Sequence, residues 1–160
     1  MPPVTPFQTV GPYLILGLRV GVQPPASAAE PNAVTITGRL LDGAGEGIPD
    51  GILEWWHPSF AEIQRSPTGA EGRFSIQLPK PPADRGGAPH VAVRVLGRGI
   101  LTQYLTRVYF GDEPANASDP VLRLVPDARR HTIVAPCTAL SVYHFDVVIQ
   151  GENETVFFDV

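Results

Sequence analysis

Between Gly86 and Arg107 the chain reads GGAPHVAVRVLGRGILTQYLTR, and the first half of this stretch alternates without a break. Val91, Val93 and Val95 fall on one face and His90, Ala92 and Arg94 on the other, the period of two expected of a strand with one buried face. The pattern stops at Gly97 and Gly99 and resumes from Leu101 to Phe110, which predicts two neighbouring strands of one sheet. The polar face of the first strand is the place to look for chemistry, and one histidine followed by a small alanine stands there.

The remaining segments extend this reading. VTITGRLLD alternates from Val34, DGAGEG is a turn, and IPDGILEWW places Leu53 and Trp55 on one face and Ile52, Glu54 and Trp56 on the other, predicting a first hairpin. His57 to Ala70 is irregular and polar. A third strand is expected from Gly72 to Pro79, with Phe74, Ile76 and Leu78 aligned. Lys80 to Pro89 is a ten-residue loop, a length more often functional than not inside a compact domain. GDEPANASDP is another turn-rich loop, and a weak helical pattern covers Asp127 to Ile133. VYHFDVVIQ, the turn GENE and TVFFDV predict a closing hairpin in which Tyr143, Phe145, Val147 and Ile149 share a face.

At the other end, Met1 to Gly11 has little periodicity, Tyr13 to Leu18 (YLILGL) is a short apolar stretch, and Gly21 to Asn32 has the composition of a linker. Residues 1–33 therefore read as an N-terminal arm and linker, and residues 34–160 as one sandwich domain of short strands and long loops. Apolar residues on such an arm, and in VFFDV at the C-terminus, are expected to lie against another subunit.

Composition narrows the class. Eighteen prolines among 160 residues, with 43% hydrophobic residues, describe a globular, turn-dense chain with little room for long helices, so the fold class is all-β. A net charge of -4 with basic residues scattered apart from Arg129 and Arg130 argues against a nucleic-acid partner. No apolar run is long enough to span a membrane and no signal-peptide pattern opens the chain, so a soluble, cytoplasmic protein is expected. The single cysteine, Cys137, allows no internal disulfide and reads as a buried small hydrophobe.

Four stretches together resemble the intradiol ring-cleaving dioxygenases: QTVGPY with LGL near the start, GILEWW, LTRVYFGDE, and FDVVIQGENETVFFDV at the end. SPTGAEGRFSIQLP is shared more widely, with many prealbumin-like sandwiches. The resemblance covers most of the chain and implies a prealbumin-like β-sandwich within an α/β hetero-oligomer of aromatic hydrocarbon catabolism. Such an assembly opens protocatechuate between its hydroxyls with O2, giving 3-carboxy-cis,cis-muconate. The ferric ion is held by two tyrosines and two histidines of the β chain, since tyrosinate oxygens stabilise the ferric state.

Position by position, this chain departs from the iron-binding pattern. His90 aligns with the first histidine of the family's His-x-His, but Ala92 occupies the second place and Gly87 the place of the preceding arginine. The loop Lys80 to Pro89 and the segment His57 to Ala70 contain no tyrosine. The resemblance thus assigns no metal ligand and no catalytic residue here, and leaves Fe(3+) to a partner β subunit. What it does assign is substrate contact. Thr9, Gly11, Pro12 and Tyr13 would form a wall beside the partner's iron, and Arg107 would meet the substrate carboxylate. A guanidinium suits that role because it grips a carboxylate through two parallel hydrogen bonds.

Plainer roles are expected elsewhere: Trp55 and Trp56 in core and sheet packing, and His57, His131 and His144 structural or facing solvent. Whether Glu54 is a buried, satisfied carboxylate stays open. So does the choice between a noncatalytic but required dioxygenase subunit and a free-standing sandwich that works as a binding module.

Overall fold

The computed structural model describes residues 9–11, 13, 32–83, 86–101 and 103–159. Of the expected arm and linker, only Thr9 to Gly11, Tyr13, Asn32 and Ala33 fall within that range, and Ala33 already belongs to the first strand; Pro12 and the rest of YLILGL lie outside the described residues.

Two sheets pack face to face. In the first, β1 (Ala33–Leu41) is central. Antiparallel β4 (Arg73–Pro79) runs along one edge in register from Ala33↔Pro79 to Arg39↔Arg73. Its other edge takes two short parallel strands, β9 (Val142–His144) and β10 (Val147–Val148), and β8 (Cys137–Ala139) lies outside β9. The second sheet has the order β3 (Gln64–Pro67), β2 (Ile52–Trp56), β5 (His90–Leu96), β6 (Tyr104–Phe110), β7 (Val134–Ala135). Its pairs are antiparallel except the last.

The alternation explains the layers. Ile36, Leu40, Leu78 and Val147 of the first sheet face Leu53, Trp55, Val91, Val93 and Val95 of the second, and none of these side chains is exposed. Burial of this kind stabilises by about 1.5 to 3 kcal/mol for each large aliphatic side chain. The one polar atom on Trp55 is satisfied, its indole N–H donating to Ser66 Oγ at 2.8 Å. Gly38 admits no side chain, because a Cβ there would run into the backbone carbonyl of Phe145. The all-β sandwich expected from the sequence is thus the architecture found. Among the described residues no helix is long and apolar enough to cross a membrane.

Several elements differ from expectation. β1 and β2 do not form a hairpin: they belong to opposite sheets, and the bridge Leu41↔Gly47 ties the end of β1 to the connection that follows it, not to β2. The apolar faces of both strands are satisfied by meeting across the core, and the connection 42–51 is long enough to cross the roughly 10 Å between sheets. The polar segment after His57 contains β3, which takes its strand conformation from pairing with β2. β6 begins at Tyr104 rather than Leu101. The expected closing hairpin is reduced to local bonds between Val148 and Thr155, because β9 and β10 pair with β1 instead. The C-terminal VFFDV packs on its own domain: Phe158 N–H donates to Leu105 O at 2.8 Å, and Phe157 lies 4.7 Å from the Tyr104 ring. Cys137 is exposed, not buried, because β8 is an edge strand with its side chains in solvent. The weak helical pattern near Asp127 becomes a 3-10 helix, Asp127–Thr132.

A second apolar cluster sits on the outside of the second sheet. Tyr109 of β6 is its centre, with Ala88, Leu122, Val125 and Ile133 around it. The 3-10 turns that follow β6 cover it, and their edge makes one wall of the site.

Candidate functional site

The second sheet turns its inner face to the core, so every other residue of β2, β5 and β6 points outward, and register stacks these residues into rows. Glu54 pairs with Arg94 and Arg94 with Leu105; Trp56 pairs with Ala92 and Ala92 with Arg107; His90 pairs with Tyr109.

The first row is an ion-pair lattice. Glu54, 5% exposed, accepts from Arg65 Nε at 2.8 Å and from Arg94 Nε at 2.7 Å, and Arg94 Nη2 reaches the same carboxylate. Burial alone would raise the Glu54 pKa, but hydrogen bonds and charge from Arg94 and Arg65 outweigh it and hold the carboxyl below its usual range. Glu54 is therefore a buried, satisfied carboxylate.

The other two rows border a cleft of about 340 Å³ lined by Trp56, Pro58, Gly87, His90, Arg107, Asp119, Pro120 and Val121. Trp56 is 48% exposed and also lines a neighbouring hollow over Ala92, so it packs on the sheet less than expected and serves as a wall. His57 is 3% exposed, beside Phe60 and His90, and is structural. His90 Nδ1 lies 2.9 Å from Ala88 O; because a carbonyl only accepts, Nδ1 carries the proton.

Arg107 is half-buried, and among the described residues no carboxylate pairs with it. Its Nη1 donates to Tyr109 Oη at 3.4 Å, and its guanidinium carbon stands 5.7 Å from the Phe158 ring centroid. Tyr109 Oη in turn donates to Asp119 Oδ1 at 3.2 Å. Asp119 is a hub, accepting also from the N–H groups of Ala88 and Leu122 at 2.8 Å and of Val121 at 2.9 Å. Burial would raise the Asp119 pKa, yet those three N–H groups and the phenol hold it below the ordinary carboxylate value. Tyr109 moves the other way, its phenol pushed up to about 12 chiefly by burial, despite Arg107 beside it.

The donors at this cleft do not fit a ferric ion. The tyrosine here is a protonated phenol committed to Arg107 and Asp119, and Ala92 stands beside His90 on the same face. Among the described residues no group of three or more His, Cys, Asp or Glu converges.

The remaining candidates lie at the other end of the β5–β6 hairpin. Thr9 Oγ1 accepts from Gly99 N–H at 2.8 Å and lies 3.5 Å from Gly97 O. A Cβ placed on Gly11 would find open space, and Tyr13 is 75% exposed. The Thr9 anchor is five residues from the Ala92↔Arg107 pair, roughly 16 Å along the strands, so one chain does not bring Thr9 and Arg107 into a single cleft. Pro12 lies outside the described residues. Sequence reading missed Tyr109 and Asp119. Asp119 had left a signal, an Asp-Pro step ahead of an apolar run, which is the usual setting for an aspartate that accepts N–H groups two and three residues on.

No family model matches the chain. Among curated proteins it is 42% identical to the protocatechuate 3,4-dioxygenase alpha chain of Burkholderia cepacia, over 98% of this chain and 97% of that one. It is 32% identical to the alpha chain of the same name from Pseudomonas putida, over 98% and 96%. The Burkholderia beta chain is 25% identical over 76% of this chain and 66% of its own length. The first of these alignments spans 193 positions against a chain of 160, so interior segments of the relative are missing here. Among solved structures, the dioxygenase domain of a dioxygenase carbohydrate-binding protein fusion from Streptomyces sp. SirexAA-E is similar with a TM-score of 0.64 and 24% identity, covering 92% of this chain and 98% of that one. Hydroxyquinol 1,2-dioxygenase from Pseudomonas putida DLL-E4 follows at 0.59 and 15%, covering 76% and 57%. These two likenesses speak for the fold, and the sequence relatives for the lineage: the chain belongs to the protocatechuate 3,4-dioxygenase alpha chains, within the intradiol dioxygenases.

Proposed function

We propose that this chain is the subunit without iron in a protocatechuate 3,4-dioxygenase, and that it completes the active site of an iron-bearing β subunit. That partner supplies Fe(3+), and with O2 the pair converts protocatechuate to 3-carboxy-cis,cis-muconate. On this reading Arg107 holds the substrate carboxylate, and Thr9, Gly11, Pro12 and Tyr13 form a wall beside the partner's metal. The observation that carries the reading is the state of Arg107: half-buried at a cleft, charged, and bonded to a neutral phenol rather than to an acid. A substrate carboxylate is the partner such a guanidinium lacks. The arm is compatible with the same patch, because the four residue steps from Thr9 to Tyr13 span up to about 14 Å, comparable to the distance separating the Thr9 anchor from Arg107.

The test is Arg107→Gln in the complex assembled with the β chain. A charge-assisted pair of this kind is worth about 1.5 to 3 kcal/mol, so KM for protocatechuate should rise about ten- to a hundredfold. Turnover of catechol, which lacks the carboxylate, and iron content should stay unchanged. Equal losses on both substrates, or a complex that falls apart, would assign Arg107 to the interface instead.

A further inference from the structure

An arginine side chain has several rotatable bonds, so a guanidinium without a counter-charge sweeps many positions unless its surroundings order it. Among the described residues, two groups contact that of Arg107. Phe158 offers a ring face, and its own backbone is fixed by the bond to Leu105 O. Tyr109, with no exposed surface, offers its phenol oxygen.

The hydrogen-bond roles in the chain Arg107–Tyr109–Asp119 are forced. A guanidinium only donates and an ionised carboxylate only accepts, so the single phenolic hydrogen points to Asp119 and a lone pair points to Arg107. Asp119 cannot swing away, because three backbone N–H groups from two loops hold its oxygens.

We propose that Tyr109, braced by Asp119, is a positioning residue for Arg107: it fixes where the guanidinium stands without neutralising it. The proposal rests on Arg107 being the carboxylate anchor, and it adds why that arginine is presented in one orientation with its charge intact. A carboxylate in direct contact would have orientated Arg107 equally well and cancelled it. Interposing a phenol keeps the negative charge of Asp119 one residue away. Consistent with this, Tyr109 stays protonated and Asp119 ionised across the neutral range.

The test uses R107Q, Y109F and the double variant in the assembled α/β complex, each with protocatechuate and with catechol. Y109F removes one oxygen and keeps the ring that packs on His90 and Leu122. It should raise KM for protocatechuate about three- to tenfold, leave kcat and the catechol constants unchanged, and add nothing in the R107Q background. Should Y109F fail to assemble, Phe158→Leu removes the other contact to the guanidinium and should show the same selective rise. Native kinetics for Y109F beside a selective R107Q loss would overturn the positioning role and spare the anchor. Losses on both substrates, or a further loss on top of R107Q, would make Tyr109 a packing residue and also overturn it. An R107Q complex with an unchanged protocatechuate KM would remove the anchor first and the positioning proposal with it.

Discussion

Arg94 and Arg107 stand on neighbouring strands of one sheet face, yet their surroundings are opposite. Arg94 is bound to Glu54, which Arg65 also holds, so its charge is spent inside the fold. Arg107 meets a phenol and a phenyl ring, and among the described residues no carboxylate takes up its charge. The difference separates a structural arginine from a presented one, and neither sequence spacing nor exposure alone makes that distinction. What makes it is the identity of the group across the strand pair: Glu54 opposite Arg94, Ala92 opposite Arg107.

The largest way to break the comparison is Glu54→Ala, which strands two arginines. It should cost about 2 kcal/mol in denaturant unfolding, less than a fully buried pair, because the Arg94 side chain keeps 38% of its exposure. A loss below about 0.5 kcal/mol would show that the lattice stabilises nothing.

The same carboxylate sets a pH dependence. The Glu54 pKa in the fold is below its ordinary value of 4.5, so its contribution is complete at neutral pH and is lost as pH falls from that value through the folded one. Glu54→Gln should therefore flatten part of the acid-side fall in stability below about pH 4.5 and change nothing in the slope above pH 6. An acid limb identical to that of the native chain would contradict the assignment.

A smaller effect is expected where the arm is anchored. Thr9→Ala removes the acceptor for Gly99 N–H at a solvent-facing turn, and should cost about 0.5 to 1 kcal/mol or less. It should be visible as faster proteolysis of the arm, with the melting temperature of the domain nearly unchanged.

The smallest effect sharpens the contrast most. Arg94→Gln should leave the ratio of protocatechuate to catechol turnover at its native value, while the matching change at Arg107 shifts it. A selective loss from Arg94→Gln would mean that both arginines are presented.

Much of the sandwich was legible because its strands repeat a pattern that permits one solution. Val91, Val93 and Val95 alternate with His90, Ala92 and Arg94, and in the fold the three valines are buried while the other face is left to the site. β3 was not legible, since Gln64 to Pro67 has no apolar period and is a strand only because β2 offers an edge. The pairing of β1 was misread for a related reason. Its alternation fixes which face is buried but not which neighbour supplies the hydrogen bonds, and β4 and β9 supply them in place of β2. At the site, the motif singled out Arg107 as a candidate, and the fold sets it at the cleft. Tyr109 and Asp119 were not, because their roles depend on a contact ten residues apart across a turn-rich loop.

The central claim is that this chain contributes shape and a charge while the metal belongs to its partner. Iron measurement on three preparations tests it most directly: the chain alone, the β chain alone, and the two assembled. Tyrosinate ligation of ferric iron gives a visible charge-transfer colour. The account expects the chain alone to be colourless and free of iron, and the assembled pair to carry about one ferric ion per α/β unit with ring-cleaving activity. Near-stoichiometric iron in a coloured preparation of this chain alone would contradict it.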